Sequence, residues 1–192
     1  YDVQRTPLEI LTFYNAVANN GKMMRPRFVT AVLRNGTVVK SYGTEVIVNS
    51  IASRSTIRKA RDMMEGVVQH GTATNLKNAD YRIAGKTGTA QIAMDKRGYR
   101  QGSRISYQAS FVGYFPAENP LYSCIVVVNA PSNGVYYGNI VAGSVFREIS
   151  DKVYATTFFR DYRPDDRKEL TASAPEAGNG FRGDINKVLG DF

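Results

Sequence analysis

Apolar positions near the start of the chain recur three or four residues apart, which places them along one side of an α-helix. The four that set this spacing are Leu8, Leu11, Tyr14 and Ala18. The preceding Thr-Pro-Leu-Glu at residues 6–9 combines an N-cap, a proline at the first helical position and a glutamate that completes a capping box. The pattern therefore predicts a helix that starts at Thr6 and ends at Asn-Asn-Gly, residues 19–21.

A second helical pattern follows a segment of short strands. Residues 28–48 are predicted to form a hairpin around Asn35-Gly36, with a further break at Tyr42-Gly43. Ser55 is then expected to cap a helix that closes at His70-Gly71. Its predicted inner side carries Ile57, Ala60, Met63, Met64, Val67 and Val68.

The middle of the chain favours an antiparallel sheet followed by a helix. Strands are predicted over residues 81–92, 106–115 and 121–129, and a helix over 138–154. Residues 125–128 are apolar on both sides of their strand, which predicts a position inside a sheet that is covered on both faces. From about Arg160 onward, charged residues and then Ala, Gly and Pro dominate. We interpret residues 1–158 as one domain and residues 159–192 as a linker with the start of a further C-terminal module.

Composition excludes several classes of function. The net charge is +8, but the basic residues are scattered and no nucleic-acid-binding motif accompanies them, so no nucleic-acid partner is expected. The single cysteine, Cys124, and the single histidine, His70, do not suit a disulfide framework or a multi-histidine metal site. We therefore predict no metal and no cofactor. No apolar run is long enough to span a bilayer, so any membrane anchor is expected outside this chain.

The segment with recognisable chemistry is Ala-Gly-Lys-Thr-Gly-Thr-Ala-Gln at residues 84–91, on a predicted strand. Its order relative to other motifs resembles the transpeptidase domain of class B penicillin-binding proteins, with the cell-division type favoured. The other motifs are Thr-Pro-Leu at 6–8, Ala-Asn-Asn-Gly at 18–21, Gly-Thr-Ala at 71–73 and Phe-Val-Gly-Tyr-Phe-Pro at 111–116. The resemblance implies part of an α/β (α+β) fold of the penicillin-binding transpeptidase and serine β-lactamase type, an antiparallel sheet with helices on both faces.

The resemblance also assigns roles to four residues, Lys86, Thr87, Gly88 and Thr89. Because side chains alternate along a strand, the two threonine hydroxyls share one side and can hold the terminal carboxylate of a peptide, while Lys86 points to the other side. Gly88 leaves room for the peptide backbone to approach as an added strand. In the family, Lys86 directs positive charge toward the catalytic serines and the Thr89 N–H contributes to the oxyanion hole.

Two motifs of this enzyme class are missing from the chain. No lysine is preceded three positions earlier by serine, and no serine is followed two positions later by asparagine, so the nucleophilic serine and its base are absent. Since both motifs precede the Thr-Pro-Leu helix in the family, an N-terminally truncated domain is expected. Such a domain supplies only the last three strands of the family sheet, and we expect its uncovered apolar surfaces to promote self-association.

The resulting hypothesis is that this chain is the substrate- and penicillin-binding half of a peptidoglycan D,D-transpeptidase, inactive by itself. The expected partners are the peptidoglycan stem peptide and β-lactam antibiotics, and the expected location is the periplasmic face of the bacterial inner membrane. Two alternatives stay open. One is part of a β-lactamase or β-lactam sensor of the same superfamily, and the other is a noncatalytic domain that binds peptides along a strand edge.

Overall fold

A computed structural model describes residues 5–92, 106–132 and 134–161, with side chains described up to residue 157. The chain divides into two compact units, residues 1–150 and 151–192. A short 3-10 turn, Thr74–Leu76, precedes β5. The helices and strands are α1 (Pro7–Ala18), β1 (Met23–Met24), β2 (Ala31–Arg34), β3 (Thr37–Ser41), β4 (Val46–Val48), α2 (Arg54–Gln69), β5 (Ala84–Gln91), β6 (Tyr107–Phe115), β7 (Tyr122–Asn129) and α3 (Gly138–Asp161).

The start of α1 confirms the predicted capping box. Thr6 Oγ1 accepts from the Glu9 N–H at 3.3 Å, and Glu9 Oε2 accepts from the Thr6 N–H at 2.8 Å. The Thr6 N–H and the Thr6 hydroxyl, which donates to Glu9 Oε2 at 3.0 Å, lower the pKa of Glu9, because both bonds favour its ionised carboxylate. The helix ends at Asn19, and Asn20 and Gly21 adopt positive φ angles of 53° and 92°, as the Asn-Asn-Gly ending predicted.

Helix α2 differs from the prediction in its N-cap and in the exposure of one methionine. Ser53, rather than Ser55, is the N-cap, and its Oγ accepts from the Thr56 N–H at 3.2 Å. Ile57, Met64 and Val68 are buried as predicted, but Met63 is 68% exposed. The buried side chains are spaced seven and four residues apart, and Met63 lies about 100° around the helix from Met64, outside that stripe. The prediction for Met63 was therefore wrong.

Strands β2 and β3 form the predicted hairpin around Asn35-Gly36. Both turn residues have positive φ angles, 51° and 79°, which suit a two-residue hairpin turn. Strands β1 and β4 form a separate antiparallel pair. Most apolar side chains of β2, β3 and β4 are exposed. These exposed side chains are not part of the candidate functional site.

Strands β5, β6 and β7 form one antiparallel sheet in that order. This confirms the predicted sheet, but β7 does not lie in its interior. Among the described residues β7 pairs with β6 alone, and its residues from Tyr122 to Val128 are half-buried. An apolar run shows that both faces of a strand avoid water, but it does not show how many strands pair with it.

Helices cover both faces of this sheet, as expected. On one face Val17 and Ala18 of α1 and Met64 of α2 pack with Ala84 and Tyr114. On the other face the rings of Phe111 and Phe146 of α3 meet edge to face, 4.8 Å apart. The sheet is therefore the middle layer of a three-layer core.

The last helix is longer than predicted and continues to Asp161. No glycine or proline occurs between Gly143 and Pro164, so no helix-breaking residue stops it at the predicted residue 154. Residues 162–192 lie outside the described part, and the predicted linker and C-terminal module remain predictions. Among the helices of the described residues, none combines the length and hydropathy needed to cross a membrane.

We predict that Gly85→Ala destabilises the sheet. A Cβ on Gly85 would lie 2.6 Å from Phe111 Cζ and 2.7 Å from the Val112 carbonyl oxygen. Overpacking of this kind costs about 1–3 kcal/mol in the free energy of unfolding. Urea denaturation followed by circular dichroism measures the change.

Gly43→Ala is the matched control, because a Cβ there meets no atom within 4 Å. Its free energy of unfolding should stay within about 0.5 kcal/mol of the parent value. Equal stability of the Gly85→Ala variant and the parent would contradict the packing described for β5.

Candidate functional site

Pairing with β6 determines which backbone groups of β5 face outward. In an antiparallel pair, every second residue bonds to the neighbouring strand and the residues between direct their N–H and C=O groups away from it. The Ile92 N–H donates to the Ser106 carbonyl at 2.9 Å, which extends the β5–β6 register by one position. Counting back from residue 92, even-numbered residues bond to β6. Thr87 and Thr89 therefore present their N–H and C=O groups at the outer edge of β5.

This outer edge is open along the candidate site. No backbone group of residues 5–92, 106–132 or 134–161 pairs with the N–H of Thr87 or Thr89. The Thr87 carbonyl accepts from Lys86 Nζ at 2.8 Å, which brings the ammonium group to the edge. Lys86 and Thr89 are exposed and Thr87 is half-buried. The predicted site residues thus lie together on an accessible strand edge.

The two threonine hydroxyls lie on the face of the sheet that α3 covers, and each has a partner from another element. Thr87 Oγ1 lies 3.1 Å from Thr72 Oγ1, in the turn after α2. Thr89 Oγ1 accepts from the Gly138 N–H, the first residue of α3, at 3.4 Å. The Lys86 ammonium also reaches the Thr87 hydroxyl, since its Nζ lies 3.5 Å from Thr87 Oγ1. Neither Thr72 nor Gly138 was predicted from the sequence to be part of the site.

Gly88 is required by packing within the sheet. A Cβ at this position would collide with Ser110 Oγ on the opposing strand. The space beside Gly88 is therefore occupied by the Ser110 hydroxyl on one face. This contact gives Gly88 a structural role in addition to the predicted approach of a ligand backbone.

Helix α3 approaches the site with its N-terminal end. A Cβ on Gly138 would lie 2.6 Å from the Gly88 carbonyl oxygen and 2.5 Å from the Ser110 carbonyl oxygen. Glycine therefore allows the helix to touch the backbone of β5 and β6. Since the N-terminus of a helix carries partial positive charge, α3 favours an anion next to Thr89.

An aromatic cluster extends the same face beyond Thr89. Tyr107, opposite Gln91, stacks on Tyr136 with ring centroids 4.1 Å apart and an interplanar angle of 9°. Tyr137, which is 55% exposed, lies 4.9 Å from Tyr136. Hydrogen bonding to Tyr137 is the main cause of a raised pKa at Tyr136. The cluster offers an apolar surface beside the strand edge.

Two partly open clefts lined by described residues lie away from this edge. One, of about 630 Å³, is lined by α2 residues and by Glu118. The other, of about 640 Å³, lies between α1 and the β1–β4 pair. Neither of these two clefts is lined by Lys86, Thr87 or Thr89.

The groups at the edge suit one kind of ligand. Outward N–H and C=O groups can bond an extended peptide as an additional strand. An ammonium group, two hydroxyls and a helix N-terminus together favour a carboxylate at the end of that peptide. The geometry therefore supports binding of a peptide through its backbone and its C-terminal carboxylate.

Comparisons with known proteins identify the family of this chain. The family model described as penicillin binding protein transpeptidase domain matches residues 1–151. The chain is 29% identical over 155 residues to peptidoglycan D,D-transpeptidase FtsI of Buchnera aphidicola, covering 80% of the chain and 25% of that protein. It is 32% identical over 158 residues to penicillin-binding protein 2A of Bacillus subtilis, covering 78% of the chain and 22% of that protein.

The fold is also similar to that of a solved transpeptidase domain. The transpeptidase domain of penicillin-binding protein 3 from Burkholderia pseudomallei superimposes with a TM-score of 0.60 and 31% identity. The match covers 81% of this chain and 44% of that domain. The chain thus spans about a quarter of the length of the curated relatives named above and under half of this solved domain.

We predict that Thr72→Val frees the Thr87 side chain. Valine keeps the shape of threonine but removes the hydroxyl that lies next to Thr87 Oγ1. The Thr87 side chain should then populate several χ1 rotamers, and stability should fall by less than about 1 kcal/mol because the bond is exposed. Three-bond scalar couplings at Thr87, measured by NMR, report the rotamer populations.

Thr72→Ser is the control, because it retains the hydroxyl and should leave one dominant Thr87 rotamer. A single Thr87 rotamer in both variants would show that Thr72 does not hold this side chain.

Proposed function

Because the chain belongs to the penicillin-binding protein transpeptidase domain family, we propose that it forms the substrate- and penicillin-binding half of a peptidoglycan D,D-transpeptidase. In this function stem peptides are cross-linked by acyl transfer through an active-site serine. The observation that carries the proposal is the open edge of β5, where the backbone groups of Thr87 and Thr89 face outward beside the Lys86 ammonium.

Each residue at the edge has a distinct part in the proposed reaction. The hydroxyls of Thr87 and Thr89 hold the carboxylate of the donor peptide or of a β-lactam. The outward N–H of Thr89 donates to the oxyanion that forms when a serine attacks the carbonyl, a contribution worth about 3 kcal/mol in comparable enzymes. The Lys86 ammonium adds positive charge beside the attacking serine, and Gly88 lets the peptide backbone approach.

The nucleophile is not among these 192 residues, which contain neither Ser-x-x-Lys nor Ser-x-Asn. The curated relatives named above are about four times as long as the matched region. We therefore attribute the serine and its base to other residues of a longer protein. On this proposal the present chain binds the substrate and does not catalyse the reaction by itself.

The proposal also gives partners and a location. The ligands are the peptidoglycan stem peptide and β-lactam antibiotics, and the site faces the periplasm, with a membrane anchor outside this chain. A role in cell division is favoured, since one relative carries the name FtsI. The names of the relatives also favour a transpeptidase over a β-lactamase or a β-lactam sensor.

A noncatalytic peptide-binding domain is the second candidate function. The same open edge supports it, and the missing serine motifs favour it for this chain taken alone. The two functions differ in covalent chemistry. Of these two, the transpeptidase forms an acyl-enzyme with penicillin and the noncatalytic domain does not.

We predict that the longer protein containing these residues is labelled covalently by fluorescent penicillin. Lys86→Met should reduce the second-order rate of labelling by about 100-fold, because it removes the charge beside the reacting groups. Lys59→Met is the matched control, since Lys59 is exposed on α2 and is not one of the residues of the candidate site. Its labelling rate should equal that of the parent protein.

The 192-residue chain should show no mass increase after incubation with penicillin, as measured by intact mass spectrometry. A gain equal to the mass of the drug would reveal a nucleophile that the proposal lacks. If the longer protein also forms no adduct, the noncatalytic function is supported and the transpeptidase proposal fails.

A further inference from the structure

Two asparagines join the elements that flank the strand edge. Asn75 Nδ2 donates to the Asn139 carbonyl oxygen at 2.9 Å, and Asn139 Nδ2 donates to Asn75 Oδ1 at 3.3 Å. Asn75 belongs to the 3-10 turn that follows α2, and Asn139 to the first turn of α3. We call this pair the asparagine clamp.

The clamp lies next to the partners of both threonine hydroxyls. Asn75 is three residues after Thr72, which contacts Thr87. Asn139 directly follows Gly138, which donates to Thr89. The clamp therefore completes a ring of contacts that runs from the turn to α3, from α3 to β5, and along β5 back to the turn.

Further contacts hold the 3-10 turn against α3 and against α2. Leu76 is fully buried, and a Cβ on Gly143 would lie 2.9 Å from Leu76 Cδ1, so the turn packs closely on α3. Arg147 Nη1 donates to the Asn75 carbonyl oxygen at 3.0 Å. The Ala73 N–H donates to the Val67 carbonyl at 3.0 Å and ties the turn to α2. Thr72 thus sits on a short segment that is fixed at both ends.

From this geometry we propose that Asn75 and Asn139 are positioning residues for recognition of the substrate carboxylate. They set the position of the Thr72 turn relative to the N-terminus of α3, and through these partners they fix the two threonine hydroxyls at one spacing. The proposal rests on the proposed function of β5 as the binding strand. Beyond that function, the preference for a peptide carboxylate over a peptide amide depends on two side chains that do not touch the ligand.

The Asn75 side chain takes part in both bonds of the clamp and the Asn139 side chain in only one, so the two single variants should differ in effect. Asn75→Ala removes both side-chain bonds, because the Asn75 amide is donor in one and acceptor in the other. Asn139→Ala removes only the longer bond, since Asn75 Nδ2 donates to the main-chain oxygen of residue 139. The double variant loses nothing beyond what Asn75→Ala already loses. Effects within one coupled pair are expected to be non-additive in this way.

The experiment compares two peptides by NMR titration of the 192-residue chain. The probes are acetyl-L-Lys-D-Ala-D-Ala with a free C-terminal carboxylate and the same peptide with a C-terminal amide. The parent chain should bind the acid at least about tenfold more tightly than the amide, the value of one charge-assisted hydrogen bond. Thermal unfolding of each variant is recorded in parallel.

Asn75→Ala should weaken binding of the acid by roughly fivefold and leave binding of the amide unchanged. The loss of both clamp bonds lets the two threonine hydroxyls leave their fixed spacing, and this weakens their bonding to the carboxylate by about the worth of one hydrogen bond. Asn139→Ala should have a smaller effect, and the double variant should match Asn75→Ala. Thr74→Ala is the control, as its exposed side chain lies in the same turn outside the clamp. It should bind both peptides like the parent.

Three results would overturn the inference. Equal loss of affinity for both peptides together with a lower unfolding temperature would make the clamp merely structural. An unchanged ratio of acid to amide affinity in Asn75→Ala would show that the clamp does not position the hydroxyls. If the parent chain itself does not prefer the acid, the proposed carboxylate site on β5 fails, and the role of the clamp fails with it.

Discussion

Strand β5 can receive a peptide only because its pairing with β6 turns the N–H and C=O groups of Thr87 and Thr89 outward. A shift of one residue in this register would direct those groups into the sheet. Packing holds the register, since the glycines of β5 and β6 leave room for Phe111, Ser110 and the opposing backbone. Helices pack on both faces of the sheet, and the N-terminus of α3 lies beside Thr89.

The sequence predicts those parts of the fold that local chemistry determines. The capping box at Thr6 and the turn at Asn35-Gly36 depend on residues close in the chain, and both are confirmed. The exposure of Met63 and the edge position of β7 depend on which elements pack against them. Periodicity shows that a side of a helix or strand is apolar, but it does not identify the neighbour that covers it.

In the candidate site too, features set by neighbouring residues could be predicted from the sequence, and contacts between distant residues could not. Alternation along a strand predicts that Thr87 and Thr89 share a face, and their contacts in the structure agree. The partners Thr72 and Gly138 are separated from these threonines by 15 and 49 residues. No local pattern joins residues across such distances. The one available signal was the Gly-Thr-Ala motif at 71–73, which the resemblance included without giving it a role.

Hydrogen exchange at single residues of β5 tests the open edge most directly. In the free protein, the amides of Lys86 and Gly88 should be protected, because they bond to β6, and those of Thr87 and Thr89 should exchange rapidly. A peptide with a free C-terminal carboxylate should slow exchange at Thr87 and Thr89. Strong protection of these two amides in the free protein would mean that the edge is already paired, and it would contradict the account.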